Sequence, residues 1–180
     1  MRDLSLHVLD LVQNSLAAQA TKIEIAIDED LKRNLLTLTV RDNGRGMSKE
    51  QCEAALDPFY TTRTTRKVGL GLPLLKAAAD RAGGHLLLQS QLGQGTTVTA
   101  TFQHDHLDRS PLGDMSLTLM SIIALNEQCQ FVYRHRRDER EFTISSAELR
   151  QELAGIPLDH PQIAAWFREY VRELEKTLEV

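Results

Sequence analysis

Three short stretches of this sequence combine residue types that can hold a charged, planar ligand. The first, Asp42 to Met47, closes an alternating apolar strand with a carboxylate and two glycines (Asp-Asn-Gly-Arg-Gly-Met). A buried carboxylate can accept a hydrogen bond from a purine amino group, and glycines let a ligand approach the main chain closely. The same pattern is also typical of a plain Asn-Gly turn, so its meaning depends on the other two stretches.

The second stretch, Lys67 to Leu72, places two glycines directly before an apolar helix (Lys-Val-Gly-Leu-Gly-Leu). Backbone N–H groups at a helix start, with the positive end of the helix dipole behind them, suit a phosphate. The stretch lacks the third glycine of a dinucleotide fingerprint and the Gly-Lys-Ser/Thr of a P-loop. It therefore predicts a phosphate site of another kind.

The third group is Asp10 and Asn14, which lie four residues apart and project from one face of a predicted helix. An Asn carbonyl can coordinate a magnesium ion that keeps most of its waters, and a neighbouring Asp can act as a general base. A solvated helix face stays the alternative for this pair.

The elements that must position these groups follow from periodicity. The pattern predicts a helix over 4–18, a hairpin of strands over 21–27 and 35–42, and a short helix with a mobile, lid-like loop over 48–68. A second helix begins at Gly71, and strands follow over 85–90 and 96–102. The polar stretch 104–113 predicts a linker between a domain of residues 1–103 and a small α/β C-terminal domain of residues 114–180.

Bulk properties exclude several classes of function. The net charge of -4 and the pI near 5.9 give no reason to expect nucleic acid as a partner. The sequence has no apolar run of the roughly 20 residues that span a bilayer, and no signal-peptide core at its start, so we expect a cytoplasmic protein with no membrane partner. Cys52 and Cys129 are expected to be reduced thiols.

Five motifs in order resemble the boxes of the GHKL superfamily, which groups DNA gyrase, heat-shock chaperones, histidine kinases and MutL proteins. They are 10–18 (DLVQNSLAA), 42–47 (DNGRGM), 57–63 (DPFYTTR), 69–72 (GLGL) and 95–98 (GTTV). The lid motif and the Gly-Leu-Gly-Leu box look most like the catalytic domain of sensor histidine kinases. The resemblance implies a Bergerat-type ATP-binding fold, an α+β sandwich with helices on one face of a mixed sheet.

The resemblance also implies roles for individual residues. Asn14 would coordinate Mg²⁺, Asp42 would bind the adenine amino group, and Asp10 would be the catalytic base. The remaining cofactor-binding positions are Gly44 and Gly46 beside the base, Thr62, Arg63 and Lys67 in the lid, Gly69, Leu70 and Gly71 at the phosphates, and Thr96, which supports adenine recognition through water.

The chain departs from the family pattern at three points. Asp10 occupies a position where ATP-hydrolysing members usually have glutamate, one methylene longer. Few residues precede the first helix, so we expect no phosphoacceptor domain. The strand and helix that often open the fold are also missing, so the sheet is expected to be smaller or to be completed by another element.

These features leave two functions open. The first is an ATPase or protein kinase that acts in trans on water or on a protein substrate, and the second is an ATP-gated binding module of the kind found in anti-sigma factors. An apolar stripe on the last predicted helix packs on its own domain or forms a homodimer or partner interface. The segments 104–106 and 134–138 are expected to be a surface turn and a charged hairpin turn.

Overall fold

The computed structural model describes residues 3–59 and 70–179, which form a six-stranded mixed sheet with helices packed against it. The helices are α1 (Leu4–Ala17), α2 (Lys49–Ala55), α3 (Gly71–Arg81), α4 (Met115–Leu125), α5 (Ser146–Glu152) and α6 (Pro161–Glu179). The strands are β1 (Lys22–Asp30), β2 (Leu35–Asp42), β3 (Leu86–Gln91), β4 (Gly95–Gln103), β5 (Gln130–Arg137) and β6 (Arg140–Ser145).

The strands run in the order β3-β4-β2-β1-β5-β6. Strand β1 pairs with β5 in parallel, and the other neighbours pair antiparallel. Every second residue of the four central strands is buried, for example Ile23, Ile25 and Ile27 of β1. That face packs against α1, α3 and α6, while the other face carries half-buried and exposed side chains. The predicted α+β sandwich with helices on one face of a mixed sheet is therefore confirmed.

The C-terminal region completes this sheet. Strand β5 lies beside β1 along its length, from Lys22 opposite Gln130 to Glu29 opposite Arg137. Helix α4 packs on both α1 and α6, and one hydrophobic core includes residues from both halves of the chain. The expected linker 104–113 therefore does not divide the sheet: the element that completes it comes from the C-terminal end.

A buried polar network fastens α6 to the sheet. The ring of His135 on β5, 2% exposed, lies between two carboxylates: Nε2 is 2.8 Å from Oε1 of Glu29, and Nδ1 is 2.7 Å from Oε2 of Glu175. The Tyr133 hydroxyl donates to the other oxygen of Glu175 at 2.9 Å. On the far side, His104 Nε2 lies 2.6 Å from Oε2 of Glu29. The network joins β1, β5, α6 and the segment after β4.

The charges of this network follow from its geometry. Both ring nitrogens of His135 face carboxylate oxygens, so both must donate, and the ring is an imidazolium. Burial opposes that charge, but the hydrogen bonds and charges of Glu175 and Glu29 outweigh it and raise the pKa of His135 to about 9. Burial likewise opposes ionisation of Glu29, but the bonds with His135 and His104 lower its pKa to about 2.

The expected charged turn at 134–138 is corrected here, while the expected surface turn at 104–106 is confirmed with one interior contact. The segment 134–138 is mostly part of β5, and His135 belongs to the core rather than to a charged turn. His104 is only partly exposed and contacts Glu29, whereas Asp105 forms a surface contact with Asn34. Each of these polar segments contains one histidine, His135 or His104, that contacts the partly buried residue Glu29.

The stripe on α6 packs mainly inward. Phe167, Val171 and Leu178 are buried against the sheet and α4. Trp166 and Tyr170 stay 44% and 40% exposed and stack with ring centroids 5.4 Å apart. None of the helices in the described part of the chain combines the length and the hydropathy needed to cross a membrane.

Candidate ATP-binding site

The candidate site centres on Asp42, the last residue of β2. Its side chain lies on the helix-covered face, and the residue is 9% exposed. The Ser15 hydroxyl of α1 donates to Oδ2 at 2.7 Å, and the backbone N–H of Gly44 donates to Oδ1 at 2.8 Å. A carboxylate has about four acceptor positions, so each oxygen keeps capacity for a further donor. The side chain is thus fixed in position and still able to bind a ligand amino group.

Close packing of the loop against the protein's own backbone also requires glycine at positions 44 and 46. A Cβ on Gly44 would lie 2.8 Å from the carbonyl oxygen of Ala18, so the loop could not approach the end of α1 so closely. Gly46 has a φ of +69° and backs directly onto the carbonyl group of Gln91. The sequence predicts both glycines beside the base, and the structure adds that both are packed against the protein's own backbone.

Asn43, which sequence reasoning did not single out, anchors the same loop. Its Oδ1 accepts the backbone N–H groups of Thr21 and Lys22, both at 2.9 Å, and its Nδ2 donates to the Thr21 hydroxyl at 2.9 Å. The loop is also bonded to α1 through Arg45 N–H and the carbonyl of Ala18, at 2.9 Å. These bonds hold the loop at the start of β1.

Thr96 lies directly opposite Asp42 in the pairing of β2 with β4. Its hydroxyl is 2.8 Å from the hydroxyl of Ser90, which in turn lies opposite Thr96 in the pairing of β3 with β4. Ser90 also accepts the backbone N–H of Met47 at 2.8 Å. The structure therefore brings the predicted Thr96 next to Asp42 and adds Ser90, which the sequence did not distinguish from other strand serines.

Helix α1 connects this site with the start of α3. A Cβ placed on Gly71 would lie 3.3 Å from Asp10 Cβ, so Asp10 faces the first turn of α3. Ser15, which holds Asp42, is five residues further along α1, about 7.5 Å along the helix axis. The exposed Asn14 lies on the Asp10 side of that helix by its i, i+4 spacing. Helix α1 thus sets the separation between the Asp42 carboxylate and the start of α3.

The first turn of α3 has the properties of an anion site. Leu70 precedes the 11-residue helix without a side-chain cap. Because Pro73 has no N–H, the amides of Gly71 and Leu72 are the donors that this helix start can present to an anion. Thr62, Arg63, Lys67 and Gly69 lie outside the described residues, as does most of the expected lid. Of the predicted phosphate-binding groups, the described residues therefore include the start of α3 but not the lid cations.

Comparison with known proteins identifies the family. The sequence profile described as "Histidine kinase-, DNA gyrase B-, and HSP90-like ATPase" matches residues 2–106, more than half of the chain. The chain belongs to this family. The match contains every candidate site residue named above, and it confirms the resemblance to GHKL proteins.

Curated relatives of this GHKL chain include sensor kinases. Sensor histidine kinase WalK of Bacillus subtilis (strain 168) is 32% identical over 111 residues, which cover 57% of this chain and 18% of WalK. Histidine protein kinase DivJ of Caulobacter vibrioides is 33% identical over 102 residues, 54% of this chain and 17% of DivJ. The chain thus spans less than a fifth of these relatives.

A solved structure extends the likeness of fold. The N-terminal domain of a DNA repair protein superposes with a TM-score of 0.55 at 19% identity and covers 81% of this chain and 53% of that one. The superposition covers more of the chain than the family match does. The shared fold therefore includes part of the region after residue 106.

Proposed function

We propose that this chain binds Mg²⁺-ATP and transfers the terminal phosphoryl group to water or to a side chain of another protein, as an ATPase or a protein kinase acting in trans. The observation that carries the proposal is the Asp42 carboxylate, buried, held by Ser15 and Gly44, and still able to accept. The amino group of adenine is a donor, so this acceptor suits ATP better than a 6-oxo purine.

The phosphates would lie at the start of α3, at the amide groups that follow Leu70. Asp10 faces Gly71 there and is the candidate general base, taking a proton from water or from a substrate hydroxyl. Thr62, Arg63, Lys67 and Gly69 are proposed phosphate contacts on the strength of the family motifs alone.

Magnesium fits this donor set. Within residues 3–59 and 70–179 no group of three or more His, Cys, Asp or Glu side chains could hold a metal ion by itself. Mg²⁺ keeps several waters and is bound through one or two protein oxygens together with substrate phosphates. The exposed amide of Asn14 is such a single ligand. When bound, the ion would neutralise phosphate charge.

A second function is an ATP-gated binding module without substantial turnover. Two observations favour it: Asp10 is one methylene shorter than the usual glutamate, and the stacked Trp166 and Tyr170 leave aromatic surface exposed on α6. Such a surface suits a protein partner or a second copy of the chain. We place either activity in the cytoplasm, with a protein rather than a nucleic acid as partner.

One experiment separates these functions. Purified protein is incubated with γ-labelled ATP and Mg²⁺, with and without candidate partner proteins, while free phosphate and labelled protein are followed together. Hydrolysis alone indicates an ATPase, label on a partner indicates a kinase, and binding with neither indicates the switch. Asp10→Asn should keep ATP binding and lose about 100-fold or more of the turnover, and the exposed Asp159→Asn serves as the matched control.

A further inference from the structure

Ser90 lies beside the candidate site, and the proposed function gives no role to the hydrogen bonds of its hydroxyl. Its hydroxyl lies within hydrogen-bond distance of three groups: the backbone N–H of Met47 at 2.8 Å, the carbonyl of Gly95 at 3.0 Å and the hydroxyl of Thr96 at 2.8 Å. Ser90, Thr96 and Asp42 are direct neighbours across β3, β4 and β2. They therefore form one row on the helix-covered face, with Thr96 in the middle.

Counting protons fixes the direction of these bonds. A serine hydroxyl has one proton and two lone pairs. The N–H of Met47 occupies one lone pair. If Ser90 gives its proton to the Gly95 carbonyl, the second lone pair accepts the proton of Thr96, and all three contacts are hydrogen bonds. If Ser90 donates to Thr96 instead, the contact with Gly95 has no proton. The first arrangement satisfies more groups and is favoured.

That arrangement determines what Thr96 offers to a ligand. With its proton used on Ser90, the Thr96 hydroxyl presents only lone pairs on the side of Asp42. Two acceptors, a carboxylate and a hydroxyl oxygen, then lie side by side in the row. A 6-amino purine, or a water held by it, supplies the donors they need. A 6-oxo purine places an acceptor where adenine has its amino donor and carries its own donor at N1 instead, so one of the two protein acceptors is left facing an acceptor.

We propose that Ser90 is a specificity-determining positioning residue, which holds the Thr96 hydroxyl as an acceptor and so makes the site select adenine over 6-oxo purines. The inference rests on the proposed ATP site and adds to it a residue that never needs to touch the nucleotide. Without the Ser90 hydroxyl, Thr96 regains a free proton and can rotate to donate to a 6-oxo group.

The test compares ATP with inosine triphosphate, which replaces the 6-amino group by an oxo group. Affinities of both nucleotides are measured by titration calorimetry for the wild type, Ser90→Ala and Ser90→Thr. In Ser90→Ala we expect the preference for ATP to fall about five- to tenfold, the value of one neutral hydrogen bond. Ser90→Thr keeps a hydroxyl and should retain the preference. Ser121→Ala, which removes a hydroxyl bonded to a carbonyl within α4, is the control and should leave it unchanged.

The outcomes are distinguishable. If Ser90 has a purely structural role, Ser90→Ala should weaken the binding of ATP and inosine triphosphate equally. An unchanged ratio of the two affinities would therefore overturn the inference and leave the proposed ATP site intact. A wild type that binds neither nucleotide overturns the proposed function as well. If Ser90→Ala does not fold, Thr96→Val decides, because it removes the second acceptor at nearly constant shape. A reduced ratio there supports the inference, and an unchanged ratio refutes it.

Discussion

Replacing His135 by glutamine should remove the part of the pH dependence of folding stability that comes from one buried imidazolium. The ring contacts Glu29 of β1 and Glu175 of α6, packs against Tyr133 of β5 and lies with its centroid 6.0 Å from that of Phe142 of β6. His104 and Arg137 contribute through Glu29. Because both carboxylates are only partly exposed, at 14% and 23%, loss of the ring charge leaves them without a cation.

The size of the effect follows from the pKa shift. The folded-state pKa of His135 is about 9, against 6.5 for an ordinary histidine. Each pKa unit corresponds to about 1.4 kcal/mol, so the proton contributes about 3 kcal/mol to the free energy of unfolding. Since the folded pKa is raised, this stability is fully present below pH 6.5 and is lost as the pH rises through 9. Over that window the slope is about -1.4 kcal/mol per pH unit.

Urea denaturation at intervals from pH 6 to pH 10 measures this slope. The wild type should lose about 3 kcal/mol relative to His135→Gln across the window, and the two proteins should converge in stability at the alkaline end. The exposed His160→Gln is the control and should keep the wild-type slope. If the slopes of wild type and His135→Gln coincide between pH 7 and 9, the imidazolium assignment is wrong.

Three further predictions concern the site and the fold. Asn14→Ala should abolish the dependence of ATP affinity on Mg²⁺, which calorimetry with and without chelator measures; unchanged dependence would make Asn14 an ordinary polar residue of a helix face. Gly46→Ala should lower the free energy of unfolding by well over the roughly 1 kcal/mol expected for Gly93→Ala. Both glycines have positive φ, but only Gly46 packs against a backbone carbonyl, that of Gln91 at the end of β3. Equal losses in the two variants would contradict this packing. The fragment 1–103 should show no cooperative thermal transition, since it exposes the edge of β1 that β5 covers; a sharp transition would restore the expected independent domain.

Local periodicity predicted most of the secondary structure. Apolar residues at helical spacing marked α1 and α3, and strict alternation marked β1, β2 and β4 within a few residues of their ends. The predicted strand end at Asp42 is confirmed, because β2 ends at that residue. Its neighbour Thr96 followed from the resemblance and is confirmed as a neighbour by the register of β2 with β4.

The pairing of β1 with β5 was not accessible in the same way. It joins residues about a hundred positions apart, and neither strand's local pattern specifies its partner. The polar segment after β4 was read as a linker, although His104 is used in an interior contact with Glu29. One signal was present in β5: the alternation of Phe131 and Tyr133 continues to His135, which places that histidine on the buried face despite its arginine neighbours.

Nucleotide affinity of Asp42→Asn is the most direct test of the central claim. The substitution keeps the size of the side chain and replaces an acceptor oxygen by an amide that can present a donor to the adenine amino group. We measure ATP binding with Mg²⁺ by calorimetry and verify folding by circular dichroism, with the exposed Asp159→Asn as control. Loss of a hydrogen bond to a charged group, about 1.5–3 kcal/mol, predicts a roughly 10- to 100-fold fall in affinity for Asp42→Asn and none for the control. A folded Asp42→Asn protein that binds ATP as tightly as the wild type would contradict the assignment of this site.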